Sequence, residues 1–140
     1  MIINIEGNFE TNSGKLLYKV PSLFLDKKYN FKIGLKFVHL EMLERVQIDE
    51  NEIFSIDTNL IDTSSTNPTQ TIYFFWNRSK LKAKQSSFVN EITFFPLQVY
   101  EIENCQITFK KFFSGEVLPV QKFILQLHIK RSDILNGRFL

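Results

Sequence analysis

Polar and apolar residues alternate strictly in two stretches of this chain, one early and one at its end. Phe31, Ile33, Leu35 and Phe37 alternate with Asn30, Lys32, Gly34 and Lys36, and Phe123, Leu125, Leu127 and Ile129 alternate with Ile124, Gln126, His128 and Lys130. Successive side chains of a strand point to opposite faces, so each run predicts a strand with one buried and one wetter face. These strands extend over 29–40 and 122–131. Looser patterns predict extended segments over 2–9, 16–20 (stopped by Pro21), 53–61, 71–76, 92–100 (interrupted by Pro96 at an edge or bulge) and 103–113.

Between 38 and 46 the pattern has two readings. Val38, Met42, Leu43 and Val46 would share one face of a short helix. The missing N-cap and the β-rich surroundings favour a strand running past His39, with a helical turn at 41–45 as the alternative. The polar stretch 62–69 reads as an exposed loop tip. Seven or eight strands with turn signals between them predict an all-β, antiparallel β-sandwich, of which the single jelly roll of about eight strands is one form. It would occupy 1–131, leaving the unpatterned 132–140 as a C-terminal arm or tail.

Composition narrows the function classes. The 140 residues suit one domain, and 15 Phe against one Trp and five Gly predict a core filled by phenylalanine. A net charge of +2 is too balanced to imply nucleic-acid binding by charge alone. The single cysteine, Cys105, allows no internal disulfide and falls in an apolar run, which predicts a buried, inert thiol. The first residues lack a basic region and a long apolar stretch, so no secretory signal is expected, and no run reaches the ~18–20 apolar residues of a membrane span.

Residues that could carry catalysis are scattered. His39 and His128 each fall in a strand without a second ligand at metal-binding spacing, and the five glycines form no phosphate loop. The expectation is a protein without enzymatic activity, cofactor or metal. Two features suggest binding instead. Arg78, Lys80, Lys82 and Lys84 form a basic cluster beside the aromatic run that contains Tyr73, Phe75 and Trp76. Cations next to aromatics are the ingredients of single-strand nucleic-acid binding, although a solvated loop reads the same way. The continuous apolar run 71–76 fits a strand buried on both faces or one whose outer face meets another subunit. Phe112 and Phe113, adjacent on a strand, could not both face one core, so one of them is expected in a loop plug or at an interface.

From Phe94 onward the chain reads Phe-Phe-Pro-Leu, then Ile107-Thr108-Phe109, Gly115, Leu118-Pro119-Val120, and finally Leu125-Gln126-Leu127-His128-Ile129-Lys130-Arg131. This succession resembles the C-terminal part of the penton-like minor capsid jelly rolls of Polinton/Maverick elements and adintoviruses, and Tyr29 to Val38 looks like an earlier core strand of that family. The resemblance covers about half the chain. It departs from the family in length and in lacking an inserted helical segment.

The resemblance implies a virion structural protein, a vertex or minor capsid subunit that assembles into a homo-oligomeric ring, a pentamer or a trimer, and meets other capsid proteins. It implies no catalytic residues. Tyr73, Phe75, Trp76, Phe112, Phe113 and, in the tail, Phe139 are the candidate interface residues. Nucleic acid stays open as a partner and no membrane partner is expected. A TNF-like or lectin-like attachment module is the alternative from another class, and single-stranded nucleic-acid binding through Trp76, Arg78, Lys80, Lys82 and Lys84 is a third.

Overall fold

The computed structural model describes residues 1–44, 52–62, 71–75 and 84–132. Their strands are β1 (Ile2–Glu10), β2 (Lys15–Lys19), β3 (Phe31–Met42), β4 (Ile53–Thr58), β5 (Ile72–Phe75), β6 (Lys84–Phe88), β7 (Phe94–Pro96), β8 (Ile107–Lys111) and β9 (Val120–Arg131). All pairings are antiparallel. The large sheet runs β2-β1-β9-β3-β6, with β7 also on β3, and the small sheet runs β5-β4-β8.

β6 and β7 pair with successive parts of β3, Phe37–Glu41 and Lys32–Gly34, so they are two halves of one interrupted edge strand. Counted that way the described residues form eight strands. In chain order they lie 2-1-8-3-6 in one sheet and 5-4-7 in the other. A jelly roll has 1-8-3-6 facing 2-7-4-5. The chain is therefore an all-β jelly-roll sandwich in which only the second strand has moved, from the edge of β8 to the edge of β1.

The vacated edge of β8 is closed locally. The carbonyls of Ile107, Phe109 and Lys111 accept from the Tyr18 hydroxyl (2.9 Å), the Leu118 N–H (2.9 Å) and the Gly115 N–H (2.9 Å), while the Lys111 N–H donates to the Glu116 carbonyl (2.9 Å). Gly115, at φ 74°, gives the left-handed turn that folds 112–118 back along the strand.

The two alternating runs are neighbours. Ile33, Leu35, Val38 and Leu40 of β3 lie opposite Ile129, Leu127, Leu125 and Phe123 of β9. All eight side chains are buried. The alternation of β3 changes phase midway, however. Lys36 is an extra residue in the β3–β9 pairing, so Ile33 and Leu35 point inward before it and Val38, Leu40 and Met42 after it. Phe37, expected on the core face, is thereby placed on the outer face against Phe88, with ring centroids 4.6 Å apart. The same bulge explains Val38 and Met42: they are inward strand positions, and 41–42 continue β3 rather than starting a helical turn.

Aromatic contacts join the sheets. Phe123 of β9 meets Phe109 of β8 at 5.1 Å, Phe109 meets Phe74 of β5 at 6.4 Å, and Phe74 stacks on Phe54 of β4 at 5.6 Å. Complete burial of such a side chain contributes about 1.5–3 kcal/mol. Gly7 in β1 faces this column, where a methyl group would overlap the Phe123 ring. Cys105 is buried, as expected, but precedes β8 rather than lying in it; burial pushes its thiol pKa up. The segments expected as strands at 92–100 and 103–113 are shorter, Phe94–Pro96 and Ile107–Lys111, and β6 lies in a stretch expected to be a basic loop.

Candidate interaction surface

The sandwich presents two outer faces, and both combine aromatic and charged side chains. On the small sheet, Ile72 and Phe74 of β5 point into the core and Tyr73 points outward, 53% exposed. The run 71–76 is thus a one-sided strand over its described residues, which removes the reading of burial on both faces. Ser55 of β4 lies between Tyr73 and Lys110 in the register and is buried beneath their longer side chains.

β8 ends at Lys111, so Phe112 and Phe113 are in the following turn and not on a strand. The Phe112 N–H donates to the Ile53 carbonyl (2.8 Å), which ties the turn to β4. Phe112 and Phe113 meet edge to face at 5.1 Å, and Phe112 reaches Tyr73 at 6.1 Å. Phe113 remains 74% exposed. Three residues expected at an interface from separate parts of the chain form one outward aromatic cluster. Lys110 pairs with Asp57 beside it, while Lys111, on the other phase of β8 and mostly buried, lies between Glu52 (3.7 Å) and Glu116 (3.8 Å).

Phe75 and Lys84 are placed by their backbones only, in β5 opposite Ile53 and in β6 opposite Glu41. Trp76, Arg78, Lys80, Lys82 and Phe139 lie outside the described residues, as do most of the tip 62–69 and the tail 133–140.

The outer face of the large sheet is different. Outward positions at one end are Lys32 and Gly34 of β3, His128 and Lys130 of β9, and Phe94 of β7. Lys130 Nζ is 4.0 Å and Lys32 Nζ 5.7 Å from the Phe94 ring centre, and His128 meets the same ring edge to face at 5.4 Å. Arg131 lies over Tyr29 at 3.6 Å. Gly34 makes room for this arrangement: a methyl group there would overlap Ile92 and sit 2.8 Å from the Thr93 carbonyl, displacing the segment that leads into β7. Partial burial, then the amino terminus, Lys130 and Lys36, hold His128 below its ordinary pKa. His39, the other strand histidine, hydrogen-bonds Ser86 (2.6 Å) and Glu41 (2.9 Å), linking β3 to the edge strand β6.

Sequence reasoning missed the Phe94 cluster. The alternation put His128 and Lys130 on the wetter face of the last strand but held no information about which strand lies beside it.

A cavity of about 520 Å³ opens between β5 and residues 87–95. Its lining carries the Tyr73 phenol, the Glu91 carboxylate and the hydroxyls of Thr71, Ser87 and Thr93 among mostly apolar side chains. Among the described residues no three His, Cys, Asp or Glu side chains are grouped to hold a metal ion. No protein-family model, curated protein or solved structure matches the chain.

Proposed function

We propose that this protein is a structural subunit that self-assembles through the outer face of its small sheet, a penton-like or minor capsid jelly roll of an icosahedral particle. The observation that carries the reading is the outward cluster of Tyr73, Phe112 and Phe113. Exposed aromatics gathered from β5 and the turn after β8, beside the Lys110–Asp57 ion pair, match the anatomy of interface hot spots. The jelly-roll strand order and the resemblance of the stretch from Phe94 to Arg131 to minor capsid proteins support the viral context. A ring of identical subunits needs a heterologous contact, in which this cluster packs on a different surface of the next copy.

Native mass measurement at low micromolar concentration tests the assembly. A closed ring is expected, and Phe112→Ser with Phe113→Ser should return it to monomer. A strictly monomeric wild-type protein at every concentration overturns the reading. The genomic setting tests the viral part: a longer double-jelly-roll gene and a packaging ATPase should lie beside this one.

A further inference from the structure

We propose that the end of the large sheet around Phe94 is a binding site for the phosphate backbone of a nucleic-acid strand, distinct from the basic cluster 78–84. Lys32 and Lys130 are direct cross-strand partners. Like charges placed opposite each other normally destabilise a sheet. Here both ammonium groups lie over one aromatic ring, whose electron-rich face offsets their repulsion. The pair is therefore held in place rather than spread into solvent. Lys36, the bulged residue, is exposed on the same strand, and Arg131 on Tyr29 extends the cationic end.

The outward positions Ile2 and Asn4 of β1, Lys32 and Gly34 of β3, Phe94 and Pro96 of β7, and Gln126, His128 and Lys130 of β9 include no acid. Among the described residues, no carboxylate forms an ion pair with Lys32, Lys36 or Lys130. The acids of this face, Glu6, Glu10 and Glu41, sit toward the other end, where Glu6 and Glu10 lie opposite Lys19 and Lys15. Lys32, Lys36 and Lys130 thus gather positive charge at this end although the whole chain is only +2.

The geometry favours a phosphate polymer over a lipid surface. The lysines stand on adjacent strands, which run about 4.8 Å apart, and can meet successive charges of an extended chain. Met1 and Ile2 leave a small exposed apolar area beside the lysines. The rings at this end are half-buried and covered by the cations, so neither projects for insertion into acyl chains. For the same reason bases have no free ring to stack on. Binding through Lys32, Lys36, Lys130 and Arg131 should be sequence-independent and salt-dependent.

Fluorescence anisotropy with a labelled single-stranded 20-mer tests the site on the whole protein, whatever its oligomeric state. Raising salt from 50 to 200 mM should weaken binding roughly 20–50-fold, as three to four phosphate contacts imply. Lys32→Gln with Lys130→Gln should lower affinity at least tenfold and flatten the salt slope, whereas Lys15→Gln with Lys19→Gln on β2 should leave both unchanged. Phe112→Ser with Phe113→Ser should still bind as a monomer, which separates this site from the assembly surface. No binding at 50 mM salt, equal loss in the two lysine pairs, or tighter binding to anionic phospholipid vesicles or polyglutamate than to the oligonucleotide overturns the proposal.

Discussion

The outer face of the small sheet and the Phe94 end of the large sheet use aromatic rings in opposite ways. On the small sheet, Tyr73, Phe112 and Phe113 touch one another and stay open to solvent, so the rings themselves are the surface offered. On the large sheet, Phe94 lies beneath Lys32, Lys130 and His128, so the ring acts as a support and the charges are offered. An uncovered cluster gains by excluding water, which salt does little to weaken. A covered one gains by releasing counterions, which salt opposes directly. One residue type thus gives two surfaces with different sensitivities, according to what its neighbours place over it.

The largest expected effect comes from the residue beneath both faces. Phe123 belongs to the strand that carries His128 and Lys130, and its ring packs on Phe109 from the strand that leads to Phe112. Phe123→Ala should cost about 3–5 kcal/mol in urea unfolding and weaken both surfaces together. A cost below about 1 kcal/mol would show that the faces are not supported through this contact.

Gly34→Ala should separate the faces. The added methyl displaces Ile92 and Thr93, at a cost of about 1–3 kcal/mol, and unseats Phe94. Oligonucleotide affinity should fall while association through Phe112 and Phe113 persists. Equal loss of both activities would sink the idea that the faces are independent.

The smallest effect is set by protons. His128 in the folded state has a pKa below its unfolded value of about 6.5, so the folded protein binds fewer protons beneath that pH. Its contribution to stability is complete above about pH 6.5 and declines as the pH falls toward the lowered folded value. The amino terminus, Lys36 and Lys130 are the charges facing it, and the Phe94 ring covers one edge. Urea midpoints at pH 7.5 and 5.0 should differ less in His128→Gln than in the wild type. Identical differences would remove His128 from the account. The aromatic cluster contains no histidine, so this change should leave self-association unaltered.

These faces were legible in the sequence to different degrees, for physical reasons. The last strand was plain because β9 keeps one phase from Phe123 to Ile129. β3 was plain as a strand, yet Phe37 was assigned to the wrong face, because a one-residue bulge at Lys36 leaves composition unchanged and inverts every later side chain. β6, Lys-Gln-Ser-Ser-Phe, has no apolar alternation; as an edge strand it is held by the β3 ladder and the His39–Ser86 contact. Tyr73, Phe112 and Phe113 could be singled out because local patterns left them without a core to face. Phe94, Lys32 and Lys130 could not, since they meet only across strands far apart in the chain.

The turn that follows β8 has a consequence for how an aromatic contact could diversify. With the carbonyls of Ile107, Phe109 and Lys111 already taken, an extended segment from another molecule finds those acceptors closed to it. Recognition at the neighbouring aromatic cluster then rests on side chains and not on a backbone ladder. A ladder fixes register for a whole strand, whereas a side-chain contact can be retuned one residue at a time. An aromatic contact of this kind could change partners by substitutions at Tyr73, Phe112 or Phe113 while the strand order stays as it is.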